Sequence, residues 1–336
     1  MCMFPGALQR GQCWISVLLL LFSFAGGHVT HAGQAPPKVV VSVKPLHSIV
    51  AGVMQGVGDP VLLISGSETP HGFSLRPSQA RELQNAALVF WVGPELEQFL
   101  KKSINTLARQ AEIIALGQVV PLLSYRKHGL WRKSDVYKGH DDVGHKKGGY
   151  RNADHYDQGS RDPHFWLDPV LMRKTVPVIA RALSKMDPDH AILYRANSGL
   201  LEQRLERLHR HLEQKLAPVR QIPYLVFHDA YQYLETRYRL ASVGTMTLDP
   251  ERRPGARHLA NIRHEVRHNR AKCLFKEPQF KSAILSVVKE AVAVRIGELD
   301  PLGIAQRPGP DAYFGTLIDL AENLVDCLSY STVKAK

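Results

Sequence analysis

The sequence predicts an α/β protein of two similar lobes, each with a four-stranded parallel sheet, joined by a long rigid α-helix. Eight short β-rich runs alternate with helical stretches along the chain, a pattern typical of βαβ units. A leucine repeat at helical spacing separates the first four runs from the last four. With 336 residues, the chain has the length of about two domains.

The composition favours a folded globular protein. Hydrophobic residues make up 44% and charged residues 22% of the chain, which argues against disorder, collagen-like repeats and a polytopic membrane protein. The formal net charge is +12, but the basic residues are scattered along the sequence. Neither an RNP-like aromatic and basic motif nor the Cys/His spacing of a zinc finger is present. We therefore expect no nucleic-acid partner.

The N-terminus has the features of a secretory signal peptide. Arg10 is the only charged residue before the apolar run 14–25, and small residues follow that run. Such a run is shorter than the roughly 20 apolar residues that span a bilayer. We predict a signal peptide over residues 1–32, cleaved after Ala32 or Ala35, and an exported protein.

Cleavage removes Cys2 and Cys13 and leaves Cys273 and Cys327 in an oxidising compartment. An even pair of cysteines in an exported protein predicts one disulfide, with two buried free thiols as the alternative.

The strands and helices follow in order along the mature chain. We predict an N-terminal lobe over 33–186 and a C-terminal lobe over 219–336. The predicted strands are Val39–Val43, Val61–Ser65, Leu88–Val92 and Ile113–Leu116, then Tyr224–His228, Ala241–Thr245, Cys273–Lys276 and Val294–Gly297. Pro77–Ala86 and Ala312–Leu328 are among the predicted helices.

Residues 187–218 are predicted to form the linking helix. The helically spaced leucines are Leu201, Leu205, Leu208, Leu212 and Leu216. They indicate one amphipathic helix of about 28 residues, or about 42 Å. We interpret it as a spine between the lobes, although an ordinary surface helix within one lobe fits the same pattern.

Residues 126–162 are predicted to be a mobile insert in the first lobe. This stretch has no apolar period and holds four His, six Asp, six Gly and nine Lys or Arg. His-rich tracts bind metals weakly, so the insert is either a metal-loading segment or a plain solvated loop.

Four candidate ligands lie beyond predicted strands or at a predicted loop–helix junction. They are His71, His164, His228 and Asp300, two from each lobe. Three neutral imidazoles with one carboxylate or water suit a tetrahedral borderline ion such as Zn²⁺. Taken singly, each histidine also fits a capping or hydrogen-bonded loop residue, and Asp300 fits a turn residue before Pro301.

The segments around these residues carry a family resemblance. They are SVKPLHSIV, TPHGFSLRPSQARELQNAALVFWVGPELE, PHFWLDP, FHDAYQYL, KEPQF and IGELDPLG. Together they resemble the ZnuA-like solute-binding proteins, the periplasmic zinc-binding components of bacterial ABC zinc importers. The resemblance covers essentially the whole mature chain and implies two four-stranded lobes with the metal in the cleft between them.

The resemblance also implies residue roles. His71, His164 and His228 match the three His ligands of the family. Some relatives carry Glu immediately before the first of these, where this chain has Pro70. Asp300 matches the position where manganese-binding relatives supply a carboxylate, so either it or water is expected as the fourth ligand.

Three further expectations come from the family pattern. Cys273 and Cys327 match positions that are disulfide-bonded in zinc-binding relatives, and the insert matches the family's His-rich loop in place. The implied function is capture of Zn²⁺ and delivery to an ABC permease in the inner membrane, without catalysis. We expect a monomer that docks transiently on the permease.

One motif points to a different class. His264-Glu265-Val266-Arg267-His268 matches the H-E-x-x-H signature of zinc metalloproteases. Val266 lies on the apolar stripe of this helix, which directs His264 and His268 away from the core among basic residues. We therefore interpret the motif as a solvated helix face.

Two alternative functions are retained. The first is a manganese or iron carrier of the same family, although three His with at most one carboxylate favour Zn²⁺. The second is an exported zinc hydrolase that uses either the H-E-x-x-H pair or the three-His site. Asp229 or Glu277 would then act as the general base, but Asp229 more simply caps the helix after His228.

Overall fold

The computed structural model describes residues 35–66, 68–126, 161–247, 260, 264, 266–280 and 294–329. The predicted signal peptide over 1–32 and residues 127–160 of the predicted insert lie outside the described residues.

The first sheet is parallel and has the strand order β2-β1-β3-β4. Its strands are β1 (Val39–Val41), β2 (Val61–Leu62), β3 (Leu88–Trp91) and β4 (Glu112–Ala115). Its helices are α1 (Lys44–Val53), α2 (Pro77–Gln84) and α3 (Gln98–Leu107). Each predicted strand of this half is present, and the differences are confined to strand ends.

The second sheet repeats this arrangement with the order β6-β5-β7-β8, again all parallel. Its strands are β5 (Tyr224–His228), β6 (Ser242–Thr247), β7 (Cys273–Lys276) and β8 (Arg295–Glu298). In both sheets the first strand of the set lies between the second and the third. The predicted α/β class with two similar four-stranded parallel sheets is confirmed.

Four more helices have described bounds. They are α4 (Pro169–Met186), α5 (Ala191–Leu216), α6 (Gln232–Tyr238) and α7 (Ala312–Ser329). Helix α5 is the predicted linking helix, with 26 residues and a length of about 39 Å. It is shorter than expected because residues 188–190 and 217–219 form 3₁₀ turns at its two ends. The five leucines of the repeat are all buried, as the helical spacing predicts.

Side chains of helix α5 contact both halves of the molecule. The side-chain amide of Asn197 donates to the carbonyls of Val53 and Gln55 in the first lobe, at 3.0 and 2.8 Å. Further along the helix, Arg204 pairs with Asp311 and lies over the ring of Phe314 in the second lobe. These contacts fix the helix as a spine between the two sheets.

The main hydrophobic core is continuous across the lobes. It includes Val41 and Phe90 of the first sheet, Leu205 of α5, and Tyr224 and Phe275 of the second sheet. Such shared packing resists independent movement of the two halves because close-packed interiors do not deform freely. Within the described ranges, none of the helices has both the length and the apolar character needed to cross a membrane.

A disulfide joins Cys273 at the start of β7 to Cys327 in α7, with their Cα atoms 6.2 Å apart. This confirms the predicted pairing. The bond ties a central strand of the second sheet to the last described helix.

We predict that the disulfide stabilises the fold by about 4 kcal/mol, because it closes a loop between residues 54 positions apart. Replacing both cysteines by serine should lower the free energy of unfolding by that order in denaturant titrations. Thiol counting on unfolded, unreduced protein beginning at residue 33 should find no free thiol. Two titratable thiols would contradict the assignment.

Candidate metal centre

Three histidines from three different segments line one pocket. His228 is the last residue of β5, and His164 lies in the turn that leads into α4. His71 lies in the loop between β2 and α2. In open parallel sheets, ligands bind beyond the carboxyl ends of the strands. His71 follows β2 of the first sheet, and His228 ends β5 of the second sheet.

The ligand atoms of His71, His164 and His228 all lie within 4.8 Å of one another. The imidazole centroids are 5.3 Å apart for His164 and His228, 5.5 Å for His71 and His164, and 5.7 Å for His71 and His228. Three nitrogen donors from both lobes thus surround one point, as a metal ion requires.

A carboxylate orients each of the two buried histidines. Nδ1 of His228 lies 2.6 Å from Oε1 of Glu277, and Nδ1 of His164 lies 2.7 Å from Oδ1 of Asp162. Because a carboxylate accepts, Nδ1 carries the proton and Nε2 keeps its lone pair for a ligand. Nε2 of His228 is buried and has no hydrogen-bond partner among the described residues. Buried polar atoms are nearly always paired, so this unpaired nitrogen beside two other imidazoles is suited to bind a metal ion.

The topology explains why Glu277 meets His228. Strands β5 and β7 are neighbours in the second sheet, and Glu277 directly follows β7. Both residues therefore emerge at the same sheet edge, at the point where the strand order reverses. Sequence reasoning considered Glu277 only as a general base, although its position after a strand was the available signal. The partnership of Asp162 with His164 was also missed, although the two residues are only two positions apart.

Burial and neighbouring charges shift the pKa values of the three imidazoles in different directions. Burial and the other two imidazoles hold the pKa of His71 well below 6.5, and burial and His228 do the same for His164. At His228 burial acts in the same direction, but the charge and hydrogen bond of Glu277 outweigh it and raise the pKa. Burial also raises the pKa of Asp162 to about 7.

The three imidazoles line a small pocket whose other walls are largely apolar. Trp166, Phe280, Pro301 and Leu302 contribute to these walls, and Pro70 lies beside His71. An apolar surround restricts the access of water and strengthens electrostatic interactions inside it.

The structure does not bring Asp300 into this group of three. Among the described residues, the mutually close ligand atoms are those of the histidines alone. The carboxylate of Asp300 instead accepts hydrogen bonds from the backbone N–H groups of Leu302, Gly303 and Ile304. It also accepts one from the side chain of Gln279 at 2.9 Å. Asp300 thus organises the turn that follows β8.

The prediction that Asp229 caps the following helix was wrong. Helix α6 begins at Gln232, and its N-terminus has no side-chain cap. The carboxylate of Asp229 instead binds the guanidinium of Arg126, which also bonds Glu235 at 2.6 Å. A buried ion pair across more than 100 residues satisfies Asp229 more fully than a local capping bond would.

The H-E-x-x-H segment behaves as a solvated helix face in the residues described. His264 and His268 are exposed and their rings stack 5.9 Å apart, whereas Val266 between them is buried. This confirms the predicted orientation of the two histidines away from the core.

Comparisons with known proteins identify a matching family model and similar chains. The family model described as the periplasmic zinc-uptake complex component A, ZnuA, matches residues 39–327. The high-affinity zinc uptake system protein ZnuA of Brucella suis is 40% identical over 309 residues, covering 87% of this chain and 91% of the relative.

Solved structures show the same fold. A crystal structure of ZnuA superposes with a TM-score of 0.72 at 22% identity, covering 87% of this chain and 99% of that one. The solute-binding protein FpvC of Pseudomonas aeruginosa, solved with Mn²⁺, gives a TM-score of 0.70 at 19% identity, covering 88% and 98%.

We predict that Glu277→Gln weakens Zn²⁺ binding by about 10–100-fold, the usual cost of losing a carboxylate partner of a metal-binding imidazole. Loss of the charge should also lower the pKa of His228. Protons compete with the metal for this imidazole, so parental affinity should fall as the pH drops through the raised pKa of His228. In Glu277→Gln, the loss of Zn²⁺ affinity on acidification should begin at a lower pH than in the parent protein.

The measurement is a chelator competition titration between pH 5 and pH 8, roughly the range in which histidines titrate. Glu298→Gln is the matched control, because the exposed Glu298 pairs only with Lys276 at 2.6 Å in the described structure. Equal pH profiles for the parent and Glu277→Gln would contradict the assigned role of Glu277.

Proposed function

Because this chain belongs to the ZnuA family of periplasmic zinc-uptake proteins, we propose that it captures Zn²⁺ between its lobes and delivers it to an ABC permease. The observation that carries the proposal is the convergence of three imidazoles within 4.8 Å, one of them with a buried, unpartnered Nε2. We assign His71, His164 and His228 as the ligands.

The donor set supports zinc over manganese. Three neutral nitrogens suit a borderline ion in tetrahedral geometry, whereas Mn²⁺ prefers carboxylate oxygens. Pro70 occupies the position next to His71, so that position supplies no carboxylate. We propose that water is the fourth ligand, because the carboxylate of Asp300 is engaged by its own turn.

Binding without catalysis is the proposed role of this site. A hydrolase would need a free general base beside the metal. The two carboxylates that sequence reasoning offered for this task both have other partners. Glu277 holds His228, and Asp229 binds Arg126. Because both carboxylates already have partners, the site supports a carrier and disfavours the hydrolase alternative.

The cellular setting follows from the family. We propose that the protein is exported, loses residues 1–32, and works as a monomer in the periplasm. In this proposal residues 33–186 and 219–336 form the two lobes, and the inner-membrane permease docks on them transiently to receive the ion.

We predict unequal losses of Zn²⁺ affinity across seven single alanine variants. Removing His71, His164 or His228 should weaken binding by more than about 100-fold, since a broken ligand shell costs more than a changed outer contact. Asp300→Ala should lose less, and variants at His140, His145 and His155 of the insert should lose least.

Competition against a chromophoric zinc chelator measures these affinities at neutral pH. The ligand assignment fails if His71→Ala or His228→Ala binds as tightly as the parent protein. It also fails if the insert variants lose more affinity than the cleft variants.

A second prediction concerns the choice of metal. In a titration with equal Zn²⁺ and Mn²⁺ at neutral pH, the protein should retain Zn²⁺, because its donors are nitrogens. Metal content after gel filtration measures the result. Preferential retention of Mn²⁺ would favour the manganese carrier and overturn the zinc assignment.

A further inference from the structure

We propose that Lys44 is a positioning residue that locks the two lobes together around the metal site and slows release of the ion. This inference rests on the proposed zinc function. Lys44 is the first residue of α1 in the first lobe, and its side chain reaches the loop after β8 in the second.

The ammonium group of Lys44 makes three hydrogen bonds. Nζ donates to the carbonyls of Gly303, Ile304 and Gln306 at 2.7, 2.9 and 2.9 Å. An ammonium has three donors, so all three are used across the lobe boundary. The residue is only 6% exposed, which makes these bonds costly to lose.

Local structure gives no reason for a lysine at this position. A positive charge at a helix N-terminus opposes the helix macrodipole. The first turn of α1 also contains no acidic residue to compensate it. The charge is therefore explained by what it binds on the other lobe.

The receiving loop is shaped to present its carbonyls. The carboxylate of Asp300 accepts hydrogen bonds from the backbone N–H groups of Leu302 and Gly303. Carbonyls of the same loop accept from Lys44. Gly303 has a φ of +64°, and a Cβ there would lie 1.9 Å from Oγ1 of Thr316. Only glycine fits this position without moving the loop.

The same loop forms one wall of the metal pocket. Pro301 and Leu302 line the pocket, and the carbonyl of Pro301 accepts a hydrogen bond from the indole of Trp166 at 2.9 Å. The ring of Trp166 in turn lies 5.1 Å from that of His164. A continuous set of contacts thus connects Lys44 to a proposed ligand without any direct contact with the metal.

Lys44→Met removes the ammonium and keeps a side chain of similar length. We expect zinc release to a chelator in stopped flow to be about tenfold faster, near the lower end of the effect of outer-shell changes. Lys44→Arg should restore part of the slow release because it keeps the charge and several donors. Lys38→Met is the control, since Lys38 pairs with Glu82 inside the first lobe.

The distance between the lobes is a second measurement, and a loss of stability alone does not change it below the unfolding temperature. Spin labels at exposed positions Lys101 and Thr236, one on each lobe, should report a broader distance distribution in Lys44→Met at temperatures far below unfolding. Gly303→Ala should act like Lys44→Met, because it displaces the accepting carbonyls. Gly309→Ala is its control, having a positive φ of +147° and open space around the new Cβ.

The outcomes separate this inference from the proposed function. If the parent protein shows no His228-dependent zinc binding, the proposed function fails. If the parent binds zinc but Lys44→Met matches it in release rate and lobe separation, the Lys44 inference alone is overturned. It is also overturned if Lys44→Met only lowers the melting temperature. If Lys44→Met does not fold, equal rates of zinc release from Gly303→Ala and Gly309→Ala overturn the Lys44 inference.

Discussion

The hydrogen bonds between carboxylates and imidazoles are the interactions on which the rest of the site depends. Glu277 and Asp162 each hold a buried histidine in the tautomer whose Nε2 is free to bind. Without these bonds a buried ring is free to rotate or to protonate at the wrong nitrogen. The fold therefore has to bring each carboxylate within 3 Å of its histidine before any metal arrives, and neighbouring parallel strands accomplish this for Glu277.

A second constraint is that the three clustered histidines come from both halves of the chain. His228 belongs to the second sheet, whereas His71 and His164 come from chain that precedes the linking helix. The cluster of three imidazoles therefore depends on the packing of the two halves against each other. The buried leucines of α5 and the continuous core hold the two halves together, and Lys44 adds hydrogen bonds to the carbonyls of Gly303, Ile304 and Gln306.

The sequence was sufficient for the features that depend on periodicity. Alternating β-rich and helical segments predicted both sheets, and the leucine repeat predicted α5. The histidines that follow strands or precede α4 were predicted to lie close together, and their ligand atoms lie within 4.8 Å of one another. The disulfide followed from the family pattern.

Long-range partners were not accessible in the same way. The pairing of Asp229 with Arg126 joins segments 103 positions apart, and sequence patterns do not show which chain segments become neighbours. Asp300 presented a similar difficulty. A carboxylate before proline fits either a ligand or a turn, and sequence patterns do not show that the backbone N–H groups of Leu302 and Ile304 donate to its oxygens.

In the proposed site, three imidazoles and one oxygen bind zinc. X-ray absorption spectroscopy at the zinc edge of the loaded protein tests this coordination most directly. We expect four nitrogen or oxygen ligands at about 2.0–2.1 Å, with the multiple-scattering signature of three imidazoles, falling to two in His228→Ala. Spectra dominated by carboxylate oxygens, or an imidazole count unchanged in His228→Ala, would contradict it.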